Sequence, residues 1–268
     1  DISEADYVRE VSELEARKAA IGRKISVSNI VDVLNNYIRI KGLGWNPIAP
    51  IANINVAYFA NMMEASRGVY LTPRELLMAY EHFFTHRRKI KGIFSKIARV
   101  QTIQSEIYNK VLHKQNSILH PLYLTESAEF FNQAPLVVGY MMATKVLVNG
   151  KEMSLYDLFD EDGNLKYNEE NIKFADKKDQ NIKFSVYLVK ARAEWLVSRV
   201  HGNYSSESPI AANSKVLYRS LLVFRKWIIN SFFNRLGDEQ YQWIMNTTEK
   251  GRWRSYGTYY KEYGVLGG

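Results

Sequence analysis

One apolar stretch constrains this chain more than any other: residues 42–65 read GLGWNPIAPIANINVAYFANMMEA. The run from Pro47 to Met63 is shorter than the about 20 apolar residues of a membrane-spanning helix, and three asparagines interrupt it. Each asparagine amide would need a partner inside an apolar phase. Pro47 suits the first turn of a helix, and Asn46 suits its N-cap. The stretch therefore predicts a helix that follows a glycine-rich turn and is enclosed by other protein, in a large core or an assembly.

The glycines that begin this stretch do not form a phosphate-binding loop. Gly42 and Gly44 are followed by Trp45, Asn46 and Pro47. A Walker loop needs a Lys-Ser/Thr pair at this point, and a dinucleotide loop needs a third spaced glycine after a strand. The motif therefore indicates a turn and no nucleotide site.

Apolar residues recur at helical spacing over most of the chain. Thr72-Pro-Arg-Glu75 is a capping box, and the helix that it begins is predicted to continue as far as Leu112. Another helix begins near Thr125, and a later one ends at His201-Gly202, a glycine C-cap. The first and last apolar stripes are Val27, Ile30, Val31, Leu34 and Ile38, and Leu217, Leu221, Phe224, Ile228, Phe232 and Leu236.

The middle of the chain changes character. Asn149-Gly150 between apolar flanks is typical of a two-residue hairpin turn, and Asp162-Gly163-Asn164 marks a second turn. We predict a small β-hairpin near 146–167, followed by a polar surface segment. The predicted fold is mainly α, an irregular multi-helix assembly with this β-hairpin insertion. Its parts are an N-terminal helical region (1–145), the hairpin and polar segment (146–180), a C-terminal helical region (181–246) and a basic aromatic tail (247–268).

Two patterns of potential ligand residues depart from the motifs of known metal sites. His82 and His86 have the spacing of zinc proteases, but the residue after the first histidine is phenylalanine where that motif has glutamate. The acidic turn Asp160–Asn164 lacks the glycine and glutamate of a calcium loop. It also departs from the Asp-x-Asp-Gly-Asp magnesium motif of RNA polymerases, because Asn164 replaces the third carboxylate. We expect no catalytic residue, metal or cofactor.

Composition bounds the classes of partner. The chain has 268 residues, a net charge of +8 and no cysteine, so disulfides and cysteine-based metal or redox sites are excluded. A hydrophobic content of 46% argues against wholesale disorder. The basic excess favours nucleic acid, anionic surfaces or acidic protein partners. It is concentrated between His86 and Arg99, where six positive charges occur without an acid, and after Lys215.

These basic regions supply the candidate contact residues. Lysines and arginines interleaved with aromatic rings are typical of non-specific single-strand binding, whereas aromatic residues under arginine stems are typical of a core. Both interpretations stay open for the tail. The candidates for contact with nucleic acid or with a channel wall are Arg87, Arg88, Lys89, Lys91, Lys96, Arg225, Lys226, Arg252, Trp253, Arg254 and Tyr256.

Five segments together carry a resemblance to a known family. They read GLGWNPIAPIAN, KVLVNGKEMSLYDLFDEDG, VHGNY, LLVFRKWIINSFFNRLG and GRWRSYGTY. Taken together, they resemble the very large virion proteins of crAss-like gut bacteriophages, and the similarity extends from about Ser26 to Tyr259. The resemblance implies a non-enzymatic cargo protein that is packed in the capsid or tail barrel and ejected into the host cytoplasm with the genome.

The implied partners are portal and tail proteins, packaged DNA and further copies of the chain, with no stable membrane span. A start at Asp1 and the Gly267-Gly268 end suit a segment of a longer polypeptide. The absence of cysteine and the local helical contacts suit passage through a narrow tail followed by rapid refolding. Two alternatives remain, a non-specific nucleic-acid-binding module and an accessory segment of a virion RNA polymerase.

Overall fold

Helices dominate the described part of the chain, as the apolar periodicity predicts. The computed structural model describes Tyr37 and residues 46–97, 123–202 and 234–256. Its helices are α1 (Ile48–Ser66), α2 (Pro73–Thr85), α3 (Arg87–Lys96), α4 (Tyr123–Ala143) and α5 (Val186–His201). Its strands are β1 (Lys145–Val148), β2 (Lys151–Ser154), β3 (Ile172–Phe174), β4 (Gln240–Gln242) and β5 (Thr247–Glu249). Short 3₁₀ helices cover Leu155–Leu158, Glu169–Asn171 and Lys177–Asp179. The mainly α fold with a small β insertion is confirmed.

Helix α4 lies at the centre of the core. It contacts α1, α2, α3 and α5, and every residue from Asn132 to Met142 is buried. A helix that is apolar on all sides is stable only when protein surrounds it, and the sequence APLVVGYMM provides such a surface. The other helices therefore dock around α4 with one face each and leave their second face outward.

The predicted long helix after Thr72 is divided in two. The capping box is present, with the Thr72 backbone N–H donating to Glu75 Oε2 at 2.8 Å. The helix breaks at His86, where φ is −118° and ψ is 43°. The break turns the next apolar residues towards the core, so Ile90, Ile93 and Ile97 are fully buried. The remainder of the predicted helix, up to Leu112, lies outside the described residues.

The predicted hairpin is confirmed, and a third strand joins it. Asn149 and Gly150 both have positive φ, 51° and 83°, as a type I′ turn requires. Strand β1 pairs antiparallel with β2 on one side and with β3 on the other. The β3 strand comes from the segment predicted to be polar surface, where Ile172 and Phe174 point inward. The β4–β5 hairpin lies at the predicted boundary near residue 246 and was not predicted.

The acidic turn packs directly on helix α3. Gly163 has a φ of +74°, and a Cβ atom there would lie 2.2 Å from the carbonyl carbon of Gly92. The two glycines thus allow the backbones of the turn and the helix to touch. This contact brings the turn Asp160–Asn164 beside the basic residues of α3.

Gly163→Ala is expected to lower the free energy of unfolding by about 2 kcal/mol, because left-handed backbone alone costs about 1–2 kcal/mol once a Cβ is present and the methyl group also displaces Gly92. Gly150→Ala is the matched control, since its φ is +83° and nothing lies within 4 Å of the added atom. Urea denaturation of both variants separates backbone strain from the clash. Equal losses would contradict the close packing of turn and helix.

Candidate functional site

The basic residues of α3 do not form one uniform surface. Arg87, Arg88, Lys91 and Lys96 are exposed. Lys89 is buried, and its Nζ lies 4.0 Å from the centre of the Tyr156 ring. Burial lowers the pKa of the Lys89 ammonium group, assisted by the charge of Lys166. The prediction that Lys89 belongs to a contact surface is therefore wrong, because its side chain faces the protein interior.

The acidic turn Asp160–Asn164 places a carboxylate beside the positive charges of α3. Arg88 donates from Nε and Nη2 to Asp162 Oδ1, at 3.2 and 3.0 Å, and the Lys96 ammonium donates to Asn164 Oδ1. Asp160 Oδ1 accepts the backbone N–H of Asp162 at 2.9 Å and that of Asn164 at 2.7 Å. These bonds, led by that of Asn164, lower the pKa of the Asp160 carboxyl group. The turn and α3 thus form a charge-matched contact within the chain.

The histidine pair lies at the C-terminal end of α2 and includes His86, the residue at the α2–α3 break. The rings of His82 and His86 stack with centroids 4.6 Å apart, and His82 Nδ1 lies 3.5 Å from the Tyr156 hydroxyl. Burial, followed by the charge of His86, lowers the pKa of His82. Among the described residues, no group of three or more His, Asp or Glu side chains is placed to hold a metal ion. The pair acts as a stacked surface contact.

The C-terminal candidates divide into buried and exposed residues. Arg252 is buried at the end of α1, which corrects its assignment to a contact surface. The Tyr256 hydroxyl donates to the carbonyl of Met63 at 2.6 Å. Arg254 forms an exposed ion pair with Asp238, and the Trp253 side chain remains largely exposed. Arg225 and Lys226 lie outside the described residues.

Arg252 belongs to a buried charge cluster, here called the Glu64 cluster, which joins α1, α5 and the segment around β5. Arg67 Nη1 lies 2.6 Å from Glu64 Oε1, and Arg252 Nε lies 3.0 Å from Glu64 Oε2. Arg199 pairs closely with Glu249 and lies 3.8 Å from Glu64 Oε1. All five side chains are almost fully buried: Glu64, Arg67, Arg199, Glu249 and Arg252.

The Glu64 cluster holds three guanidinium groups against two carboxylates. Burial opposes the charge of Arg67, but Glu64 and Glu249 outweigh it, and the pKa of Arg67 is raised. Burial lowers the pKa of Arg252, despite the neighbouring charge of Glu64. The carboxylates are thus necessary partners, since buried charges are tolerated only when they are paired.

His201 ends helix α5 beside this cluster. Its pKa is lowered to about 3, first by burial and then by the charge of Arg252, while a hydrogen bond with the Asn132 backbone opposes the shift. The following Gly202 has a φ of 90°, as the predicted glycine C-cap requires. His201 therefore stays neutral at neutral pH.

A second buried ion pair fastens the β4–β5 hairpin to the sheet side of the core. Arg192 donates to both carboxylate oxygens of Asp179, at 2.7 and 2.8 Å, and its Nε donates to the Ile244 carbonyl at 2.9 Å. Its guanidinium also lies over the Phe174 ring. The bidentate geometry is the strongest form of such a pair.

A cleft of about 330 Å³ borders this ion pair. Tyr70, Tyr140 and Met245 line it, with Lys145 and Lys178 among its charged residues. Arg192 is engaged by Asp179 and Ile244, so the cleft lacks a free buried cation at that point. Its volume is at the lower end for small-molecule sites.

Sequence reasoning missed both buried ion pairs, although α5 carried a signal. Arg192 and Arg199 share an apolar helical stripe with Val189, Leu196 and Val200. A charged residue on such a stripe must find a buried partner. The pattern identifies the arginines but cannot identify Asp179, Glu64 or Glu249 as their partners.

Helix α1 is covered on one face only by the described part of the chain. It begins at Ile48, with Pro47 rather than the predicted Asn46 at the N-cap position, and the Ile48 backbone N–H donates to Asn46 Oδ1 at 3.0 Å. Asn53 and Asn61 find polar partners, Glu129 Oε1 and the Asn132 carbonyl, each at 2.9 Å. The opposite face exposes large apolar side chains: Ile48, Ile51, Val56 and Phe59 are 74%, 60%, 66% and 68% exposed.

Comparison with models of protein families, with curated proteins and with solved structures found no match to this chain. None of the described helices combines the length and apolarity that crossing a bilayer requires. The function therefore has to be inferred from the residues and contacts of the chain itself.

Proposed function

We propose that the chain is a non-enzymatic cargo protein of a crAss-like bacteriophage virion, held in the portal–tail barrel or capsid and ejected into the host with the genome. The observation that supports it best is the exposed apolar face of α1. A contiguous apolar face of this kind marks a site of contact with another protein surface, as in a subunit of a larger assembly. The segments between about Ser26 and Tyr259 resemble large virion proteins of crAss-like phages, and this resemblance suggests that the assembly is a phage particle.

The placement of the charges favours protein packing over non-specific nucleic-acid binding. Lys89 and Arg252 are buried, and Arg88 is paired with Asp162. These contacts use cations that a phosphate backbone would otherwise neutralise. The alternative of an RNA polymerase segment also loses support. Asp160 would have to bind a metal ion in such a segment, but its Oδ1 accepts hydrogen bonds from two backbone N–H groups of the turn.

Peptide mass mapping of purified particles tests this proposal. Trypsin releases residues 42–67 as one peptide, GLGWNPIAPIANINVAYFANMMEASR, and residues 193–199 as AEWLVSR, since both follow a cleavage site and contain no internal lysine or arginine. We expect both peptides in intact particles and their loss after triggered genome ejection, with capsid-protein peptides unchanged as the control.

Two outcomes would contradict the proposal in different ways. Absence of both peptides from intact particles would overturn the virion assignment as a whole. Peptides retained in emptied particles would overturn ejection and make the chain a fixed part of the portal or tail.

A further inference from the structure

The exposed face of α1 differs from every other outward surface described above in carrying no charge. The chain contains no Asp, Glu, Lys, Arg or His from Gly42 to Met63. The face is opposite the buried residues Pro50, Ala57 and Asn61. Its exposed members are Ile48, Ile51, Ala52, Asn55, Val56 and Phe59.

The chemistry of this face restricts its partner. Nucleic acid and acidic surfaces require cations, and the face has none. A helix that lies in a membrane surface presents lysine and arginine on its polar side, whereas the other side of α1 is buried against α4. The partner must therefore be an apolar, uncharged protein surface, and a second copy of α1 is such a surface and brings no like-charge repulsion.

The spacing of the face suits helix-to-helix pairing. Residues 48, 52, 55 and 59 alternate steps of four and three, which is the seam of a coiled coil. Asn55 is the polar residue of this seam. A single asparagine in an otherwise apolar seam sets the register of the pair, because its amide is satisfied only opposite another polar group.

We propose that α1 pairs antiparallel with α1 of a second copy, with Asn55 near the two-fold axis. A two-fold axis there places Phe59 of each copy against Ile51 and Ala52 of the other, where the small alanine leaves space for the ring. The two Asn55 amides face each other and exchange hydrogen bonds. The contact is isologous, as in most protein dimers.

The size of the face sets the expected strength. A pair that covered the whole face of both copies would bury at most about 1,200 Å², the lower limit of stable interfaces. We therefore expect a dimer that dissociates on dilution. This inference does not rest on the virion proposal, because a pair can form whether or not the chain enters a particle.

A single-cysteine experiment tests the pairing, since the chain has no cysteine of its own. Asn55→Cys is expected to form a disulfide-linked dimer under mild oxidation, because the two Cα atoms come within bonding range at the axis. Tyr187→Cys is the matched control, as this α5 residue is 80% exposed and lies outside the face. We expect this variant to form no disulfide-linked dimer on the same timescale, although it still pairs through α1.

Sedimentation velocity without any cysteine provides the second measurement. The unmodified chain should shift from monomer to dimer as concentration rises, and Phe59→Glu should hold it as monomer. Phe59 is 68% exposed, so this substitution leaves the core intact, which an unchanged thermal unfolding curve checks.

The proposal is overturned if the unmodified chain sediments as monomer at all concentrations and Asn55→Cys does not cross-link. Thiol labelling of that monomer then identifies the occupant of the face. A protected thiol means that another segment of the same chain covers it, and a rapidly labelled thiol means that the face awaits a different protein. Dimerisation that is unaffected by Phe59→Glu would equally overturn the assignment to α1.

Discussion

Replacing Glu64 with glutamine is expected to lower the free energy of unfolding by about 3–5 kcal/mol, the usual cost of breaking a buried ion pair from one side. The Glu64 side chain is fully buried and lies within 4 Å of Arg67, Arg199 and Arg252. Without its charge, three buried guanidinium groups face the single carboxylate of Glu249. Glutamine has nearly the same volume as glutamate, so the decrease in the free energy of unfolding measures the contribution of the Glu64 charge.

Urea denaturation of the variant and of a matched control checks this expectation. Glu194→Gln removes the same charge from a partly exposed pair, where Lys190 Nζ lies 3.9 Å away on the preceding helical turn. Such surface pairs contribute about 0–1 kcal/mol. Equal losses in the two variants would show that the Glu64 cluster is not buried in solution.

Acidification is expected to destabilise the fold through His201. Its pKa in the folded chain is about 3, against 6.5 for the ordinary side chain. The unfolded chain therefore binds a proton first as pH falls. The stability from neutral His201 is complete above pH 6.5 and is lost progressively towards pH 3. Between pH 7 and pH 4 the loss is about 3 kcal/mol, at 1.36 kcal/mol per pKa unit.

The measurement compares unfolding free energies at a series of pH values for the unmodified chain and for His201→Gln. The difference between the two curves should be constant above pH 7 and should shrink as pH falls below 6.5. His86→Gln is the control, because His86 is exposed. If His201→Gln shifts the curve by a constant amount at every pH, His201 does not stay neutral in the folded chain.

Features with local chemical signals could be predicted from the sequence. The Thr72–Glu75 capping box, the Asn149-Gly150 turn and the end of α5 at Gly202 each depend on residues within four positions of one another. The start of α1 after Asn46 belongs to the same group. In these places the chain specifies its structure without help from distant segments.

Features that depend on distant segments could not be predicted. Strands β3 and β4 have three residues each, too few for a pattern of alternation, and β3 exists because β1 offers it an edge. The burial of Lys89 under Tyr156 and of Arg252 against Glu64 has the same origin. Their charges suggested surface residues, and tertiary contacts gave them internal partners.

The contacts between Met63 and Tyr256 and between Glu64 and Arg252 join the two ends of the described fold. A force applied to the C-terminal end would therefore load these bonds in the first steps of extension. When Arg252 separates from the fold, Glu64 loses one of its cations. When β5 follows, Arg199 loses Glu249, its closest carboxylate. The remaining helices would then yield at lower tension. A pull from the C-terminal end would therefore separate the charges of the Glu64 cluster one after another rather than all at once.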